Sequence, residues 1–361
     1  MAKGLPPLWK IKRELVRFPV SVFSKFRASF APLIRRGHDL TAHKTVHVHA
    51  GHLPQAPEIA VFLIYQPKEI LGSTLLLLEH LVSRGIAPIV VANHPLTESH
   101  QKALAPFCFR MIERPNLGYD FGGYREGTLW VLKNLPDTEA LYILNDSNWF
   151  PVSGDSTVIE AARAAPEDVW GLYLVVPLKR PEQQHLHSYF YRFNRRTFTS
   201  DAFRKFWETM PLVNEKRLVV RRYEVGTSKY FREQGFSLGT LVTPQDILDA
   251  TLSLSDEELV DVLAFAERHR IALVPELKAF NASGPDRFKD RKAVAEMLTS
   301  TNFTLTYIAN HPLVQIKGLD TPILKKNRDE VFVDMRSEIF RCNLGDRLHP
   351  TVRDEIAGWD G

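Results

Sequence analysis

Four apolar runs set the limits on what this chain can fold into. They are IAVFLIY (59–65), IAPIVVAN (86–93), ALYILND (140–146) and DVWGLYLVV (168–176). Each is too short for a core helix, and none shows the alternation of a strand with one wet face. They read as strands buried on both sides. Helical patterns fall between them. Leu71, Leu75, Leu78 and Val82 form a stripe closed by Gly85 near its C-cap, a second helix is expected over about 120–133, and a third near 156–164. A short helix and a third strand are expected near Phe107–Ile112. Strand–helix alternation of this kind predicts an α/β fold, a mainly parallel sheet with helices on both faces. In such sheets ligands bind outside the carboxyl ends of the strands, so polar clusters there are the candidate site.

The chain has 361 residues, enough for one large α/β domain with additions. Three parts are expected: a basic amphipathic arm and linker over 1–57, the α/β domain over 58–245, and a mostly helical extension over 246–361. In the last, Ser255 to Glu258 is a capping box opening a helix through Arg268. Two cysteines, Cys108 and Cys342, supply no disulfide framework and no zinc site, which fits a reducing compartment. No apolar run is long enough to span a bilayer, and the first residues lack the apolar stretch of a secretory signal. A cytoplasmic or peripheral protein is expected.

Charge is unevenly spread. Residues 1–40 hold nine Lys/Arg against two acids, or +7, while the other 321 residues hold 37 bases and 40 acids, or −3. Val22, Phe26 and Phe30 recur at helical spacing within this arm. The arm reads either as packed on its own domain or as an anchor on an anionic membrane surface. No nucleic-acid recognition motif accompanies the charge. His43, His47, His49 and His52 in the linker read as a solvated cluster, with His47 and His49 on one face if extended.

Four polar constellations follow the expected strands. In RPNLGYDFGGYREG (114–127), Asn116, Gly118 and Gly122 make a tight turn before a helix whose free N–H groups suit phosphate, with Asp120 inside the turn. In LYILNDSNWFP (141–151), Asp146 at a strand terminus suits a divalent cation holding a diphosphate, or simply caps a turn. In HLHSYFYRF (185–193), His185 and His187 share a face and can ligate metal or donate to diphosphate oxygens. In RRYEVGTSKYFREQGF (221–236), Glu224 at a helix's first turn is placed to act as general base, or only to favour the helix dipole.

Taken in order, NLGYDFGGYREG, YILNDSNWFP, DVWGLY, HLHSYFYRF with FRKFW, and YEVGTSKYFREQGF resemble the rhamnan synthesis protein F family, whose members are bacterial polysaccharide glycosyltransferases. The resemblance runs from about Ile59 to Leu241 and resumes at NHPLVQIKGLDTPILKK (310–326). It implies a GT-A-like nucleotide-diphospho-sugar transferase fold and transfer of a sugar, often L-rhamnose or another deoxyhexose, to a bacterial cell-surface polysaccharide or its lipid-linked precursor. It also implies a donor site at Asn116, Gly118, Asp120, Phe121, Gly122, Asn145, Ser147, Ser188 and Tyr189. Catalysis falls to Glu224 as base of an inverting reaction and to Asp146. Asp146 with His185 would hold Mg²⁺ or Mn²⁺ at the inner face of the cell membrane. Two departures stand out: N-D-S replaces the D-x-D of many GT-A enzymes, and His187 replaces an expected glutamine. The runner-up is a catalytically silent glycan-binding or scaffold protein of the same fold.

Overall fold

The computed structural model describes residues 30–177, 181–213, 215, 223–269, 271, 275–282, 288–300, 303 and 307–359. Eleven strands are present among them: β1 His47–Ala50, β2 Glu58–Ile64, β3 Ile86–Ala92, β4 Arg110–Glu113, β5 Ala140–Asn145, β6 Asn148–Trp149, β7 Val169–Val175, β8 His185–Leu186, β9 Phe190–Asn194, β10 Leu238–Val242 and β11 Leu324–Lys325. Nine form one sheet in the order β1-β4-β3-β2-β5-β9-β7-β10, with β8 paired to β7, and β6 pairs with β11 separately. The block β4-β3-β2-β5 is parallel throughout. β9 enters antiparallel between β5 and β7, and β10 runs parallel to β7.

The doubly buried strands follow from the sequence pattern. Along β2, Ala60, Phe62 and Ile64 enter one core while Ile59, Val61 and Leu63 enter the other. Helix Gly72–Ser83 covers the first face and helix Tyr119–Asn134 the second. The strands and helices expected between residues 59 and 176 lie within a few residues of their expected bounds, and the Ser255/Glu258 capping box opens helix Asp256–Arg268 as read.

Three expectations change. Helix Gly72–Ser83 buries Ser73, Thr74, Leu77, Leu78, His80 and Leu81, while of the expected stripe Leu71, Leu75 and Val82 are half-buried and Leu78 alone is buried. The cause is a second partner, since the C-terminal helix Pro350–Trp359 docks on it through Glu355 and Ser73. The mostly helical 246–361 extension does not pack apart from the sheet, since Leu259, Val262, Met335, Ile339 and Val352 share the first core with β2. Nor do residues 41–57 form a linker: helix Ala31–Thr45 extends into that span, and β1 pairs antiparallel with β4. That helix is tied down by Arg125, which donates to both carboxylate oxygens of Asp39 at 2.7 and 3.0 Å, and by His38 against Glu126 at 2.8 Å. Residues 1–29 of the basic arm, Val22 and Phe26 among them, lie outside the described residues. His47 and His49 do share a face of β1, with His49 3.7 Å from Glu113.

Glycines bring helix Tyr119–Asn134 close to the sheet. A Cβ on Gly127 would stand 2.5 Å from a methyl of Val61 and 2.9 Å from one of Val91, both on stiff β-branched side chains. Gly127→Ala is therefore expected to lower stability by about 1–2 kcal/mol, overpacking outweighing the gain of up to ~1 kcal/mol in helix propensity. Gly37→Ala, with nothing within 4 Å, should be neutral or stabilising. Urea midpoints of the two variants check this pair.

Candidate functional site

The site is built where β2, β3 and β5 end side by side. Asp146 follows β5, and its Oδ2 accepts from the Tyr65 N–H and the Gln66 side chain beyond β2, both at 2.9 Å. Gln66 donates onward to Thr74 at 2.7 Å, fixing the first turn of helix Gly72–Ser83 to the same point. Beyond β3, Asn93 accepts from Arg114 at 2.6 Å and donates to the Tyr119 carbonyl at 3.2 Å. Arg114 is fully buried and also donates to the Leu117 carbonyl at 2.7 Å. Burial pulls its pKa down to about 10, partly offset by the Glu126 carboxylate. This guanidinium shapes the 115–120 turn, in which Gly118 takes φ of 82°.

The turn separates its residues into two sets. Asn116, Tyr119 and Asp120 are exposed on the rim. Phe121 faces inward against Tyr124 and Tyr223, with ring centroids 5.5 and 5.4 Å away. A Cβ on Gly122 would stand 2.0 Å from the Leu117 carbonyl oxygen, and one on Gly123 2.3 Å from Leu63. Phe121 and Gly122, expected on the donor side, pack the turn and the helix onto the sheet.

One hydrogen-bond network joins all four constellations. The Asn145 amide donates to Tyr124 at 2.7 Å and to Asp120 at 3.3 Å, while its carbonyl accepts from the Ser147 hydroxyl at 2.6 Å. Tyr124 donates to the Ser188 carbonyl at 2.9 Å. Ser188 donates from its N–H and its hydroxyl to Glu224 Oε1 at 3.0 and 3.1 Å, and His187 Nδ1 meets the same oxygen at 3.2 Å. Tyr124 lies wholly within the core. A buried polar chain of this kind stays in place because each member would be costly to leave unpaired.

Glu224 sits at the N-cap of helix Val225–Glu233, one residue before the first turn. Burial alone would raise its pKa, but the His187 contact, the Ser188 N–H and the charge of His185 outweigh burial and bring it down to about 2. The carboxylate is therefore ionised at neutral pH, with Oε1 occupied and no hydrogen bond on Oε2 among the described residues. His187 is held by stacking in a column of rings, Tyr307, Tyr173, His187 and Tyr189, with centroids 5.0, 5.7 and 5.1 Å apart. Tyr189 is buried in that column, and its hydroxyl has no partner among the described residues.

His185 lies at the edge of this arrangement, its ring centre 6.0 Å from that of His187 and its charge acting on Glu224. It pairs with the Gln183 carbonyl at 2.9 Å, and burial lowers its pKa. Neither His185 nor Asp146 belongs to a group of three converging ligands. Among the described residues that group is His311, Glu338 and Cys342, where Arg341 already neutralises Glu338.

Sequence reasoning quoted the 310–326 stretch but gave its last two lysines no role. β11 pairs antiparallel with β6, and the Lys326 N–H donates to the Ser147 carbonyl at 3.0 Å, so Lys325 and Lys326 lie against N-D-S. Lys325 Nζ donates to the Ser147 hydroxyl at 2.9 Å and stands 5.8 Å from the Tyr189 ring centre. Lys326 Nζ, buried on the opposite side, donates to Ser73 at 2.9 Å and feels the Asp146 charge. The Asp146 carboxylate has Oδ2 engaged by Tyr65 and Gln66 and feels the buried Lys326 ammonium, so a Mg²⁺ or Mn²⁺ ion held there would take its other ligands from water and substrate oxygens.

Fold and site together define an α/β protein whose parallel strands end on a buried polar network open to an exposed rim. The chain belongs to the rhamnan synthesis protein F family, whose profile matches residues 88–314. It is similar to the uncharacterized protein y4gN of Sinorhizobium fredii, at 31% identity over 97% of this chain and 92% of that one. Among solved structures it is similar to the mannosyltransferase PcManGT from Pyrobaculum calidifontis in complex with GDP-Man and Mn²⁺. There the identity is 11%, the TM-score 0.35, and the coverage 94% of this chain and 95% of that one. No helix among the described residues is long and apolar enough to cross a membrane.

Proposed function

We propose that this protein is a glycosyltransferase that moves a sugar, a deoxyhexose such as L-rhamnose, from a nucleoside diphosphate to a cell-surface polysaccharide or its lipid-linked precursor. The observation that carries the reading is the unbroken network from Asp120 through Asn145, Tyr124 and Ser188 to Glu224, since it joins a donor side to an acceptor side. Antiparallel β9 within an otherwise parallel run suits a GT-A-like sheet. On the donor side stand Asn116, Asp120, Asn145, Asp146 and Ser147 at the strand ends. On the acceptor side, Glu224 Oε2 accepts the hydroxyl proton as that oxygen attacks the anomeric carbon and the diphosphate leaves from the opposite face. A single displacement inverts the configuration. With a pKa near 2, Glu224 is a weak base that orients the hydroxyl first and takes its proton late. Residues 1–40, with nine bases against two acids, would hold the enzyme on an anionic membrane surface where a lipid-linked acceptor is confined.

A thermal-shift panel of dTDP-, UDP- and GDP-sugars, each with and without Mn²⁺, tests the reading. A cognate donor at a hundredfold excess over Kd should raise the midpoint by about 3–4 °C, from ~2.7 kcal/mol of linkage spread over the unfolding entropy of a chain this long. If no nucleotide sugar shifts the midpoint and none is hydrolysed, the protein is no glycosyltransferase of this kind.

A further inference from the structure

We infer that Lys325 is the cationic contact for the donor's diphosphate, supplying at this site the positive charge that a metal ion supplies in enzymes with two carboxylates. The inference rests on the nucleotide-sugar reading above and adds to it the residue that neutralises the leaving group.

Three observations converge on it. The first is placement. Lys325 lies about 180 residues beyond N-D-S in sequence, yet the β11–β6 ladder sets it opposite Asn148, with its ammonium 2.9 Å from the Ser147 hydroxyl. The second is direction. Side chains alternate along a strand, so Lys326 turns into the core toward Ser73 between Trp149 and Trp359, while Lys325 stays half-buried toward Tyr189. It thereby links Ser147, after β5, to the Tyr189 ring that follows Ser188. The third is charge. Asp146 is the carboxylate at the end of β5, and its Oδ2 already accepts from Tyr65 and Gln66. Asp120 on the rim is engaged with Asn145. Lys325 brings its positive charge to the span where a D-x-D motif would place a dication, while the Lys326 ammonium faces Ser73 and the Glu355 carboxylate.

In the transfer step the bond between the anomeric carbon and the β-phosphate oxygen breaks, and its electron pair stays on the diphosphate. The acceptor oxygen forms the new bond and its proton passes to Glu224. Charge grows on the departing diphosphate, and a positioned ammonium stabilises it more than it stabilises the bound donor. Ser147, bonded to both Lys325 and Asn145, holds that ammonium in line with the network.

The test is calorimetric binding of UDP, GDP, dTDP and inorganic pyrophosphate to the full chain in EDTA and again in Mn²⁺. Wild type is compared with Lys325→Met, which keeps the apolar stem against Tyr189, and with Lys325→Arg, which keeps the charge. Wild type should bind its nucleoside diphosphate in EDTA. Lys325→Met should weaken that binding by about 10- to 100-fold, as expected for loss of a hydrogen bond between charged groups, and Lys325→Arg should recover most of it. Unfolding midpoints of both variants should match wild type, separating lost affinity from lost fold. Binding by wild type only with Mn²⁺, or Lys325→Met within threefold of wild type in EDTA, overturns the lysine and leaves the transferase reading standing. Failure of every probe under both conditions overturns that reading and the lysine with it.

Discussion

Glu224→Gln is expected to lower kcat by about two to four decades while leaving donor affinity within a fewfold of wild type. The amide keeps the shape of the side chain, and its carbonyl can still accept from the Ser188 N–H and hydroxyl, so the acceptor side should stay assembled. What it cannot do is receive a proton. The depressed pKa adds a second readout. A carboxyl lowered from 4.5 to about 2 contributes stability that is fully present above pH 4.5 and is lost as pH falls through 2. A shift of that size corresponds to roughly 3 kcal/mol, which the glutamine variant forgoes in part at neutral pH. Between pH 5 and 8 neither stability nor turnover should show an acid limb belonging to Glu224. Steady-state kinetics and urea unfolding at pH 3 and pH 7 report both effects. If donor affinity collapses while kcat survives, Glu224 binds the donor and the acceptor-side assignment is wrong.

The sequence made the strands legible because burial on both faces leaves an unbroken apolar run, as in Ile59–Tyr65, and such runs carry their own boundaries. Glycine positions were legible too, but not their purpose. Gly122 and Gly123 look like glycines of a phosphate turn, yet they let a backbone oxygen and Leu63 approach. Spacing does not distinguish closeness to a ligand from closeness to the protein's own main chain. Asp120 and Glu224 were named from their places at a turn and a helix end, Asn145, Ser147 and Ser188 from the family resemblance, and the hydrogen bonds unite them. Tyr124 was missed because a tyrosine inside an amphipathic helix reads as core, which it is, apart from its hydroxyl. Lys325 was invisible for another reason. Its neighbours come from a two-residue ladder closed over 178 residues of chain, and no local pattern encodes such a pairing.

Removing the Glu355 carboxylate should be the most damaging single change to the fold near the site. Glu355 lies on the C-terminal helix Pro350–Trp359, yet its oxygens accept from the Ser73 N–H at 2.6 Å, the Ser73 hydroxyl at 2.7 Å and the Trp149 indole N–H at 2.8 Å. Its charge also faces buried Lys326, whose ammonium donates to Ser73 at 2.9 Å and whose pKa burial pulls down. Glu355→Ala leaves an indole donor and a lysine charge buried with less compensation, at a cost of about 3–5 kcal/mol. Glu355→Gln keeps the packing and two acceptor bonds and should cost about 1–2 kcal/mol. The effect reaches the site through geometry. Lys326 directly follows Lys325, the last residue of β11, so loosening the clamp on one frees the ammonium of the other, and nucleoside diphosphate affinity should fall in parallel with stability. Urea unfolding and calorimetry on the two variants measure the pair of effects. An alanine variant within 1 kcal/mol of wild type would mean that the helix is held by its apolar face, Val352 and Ile356 in the first core, and that Glu355 clamps nothing.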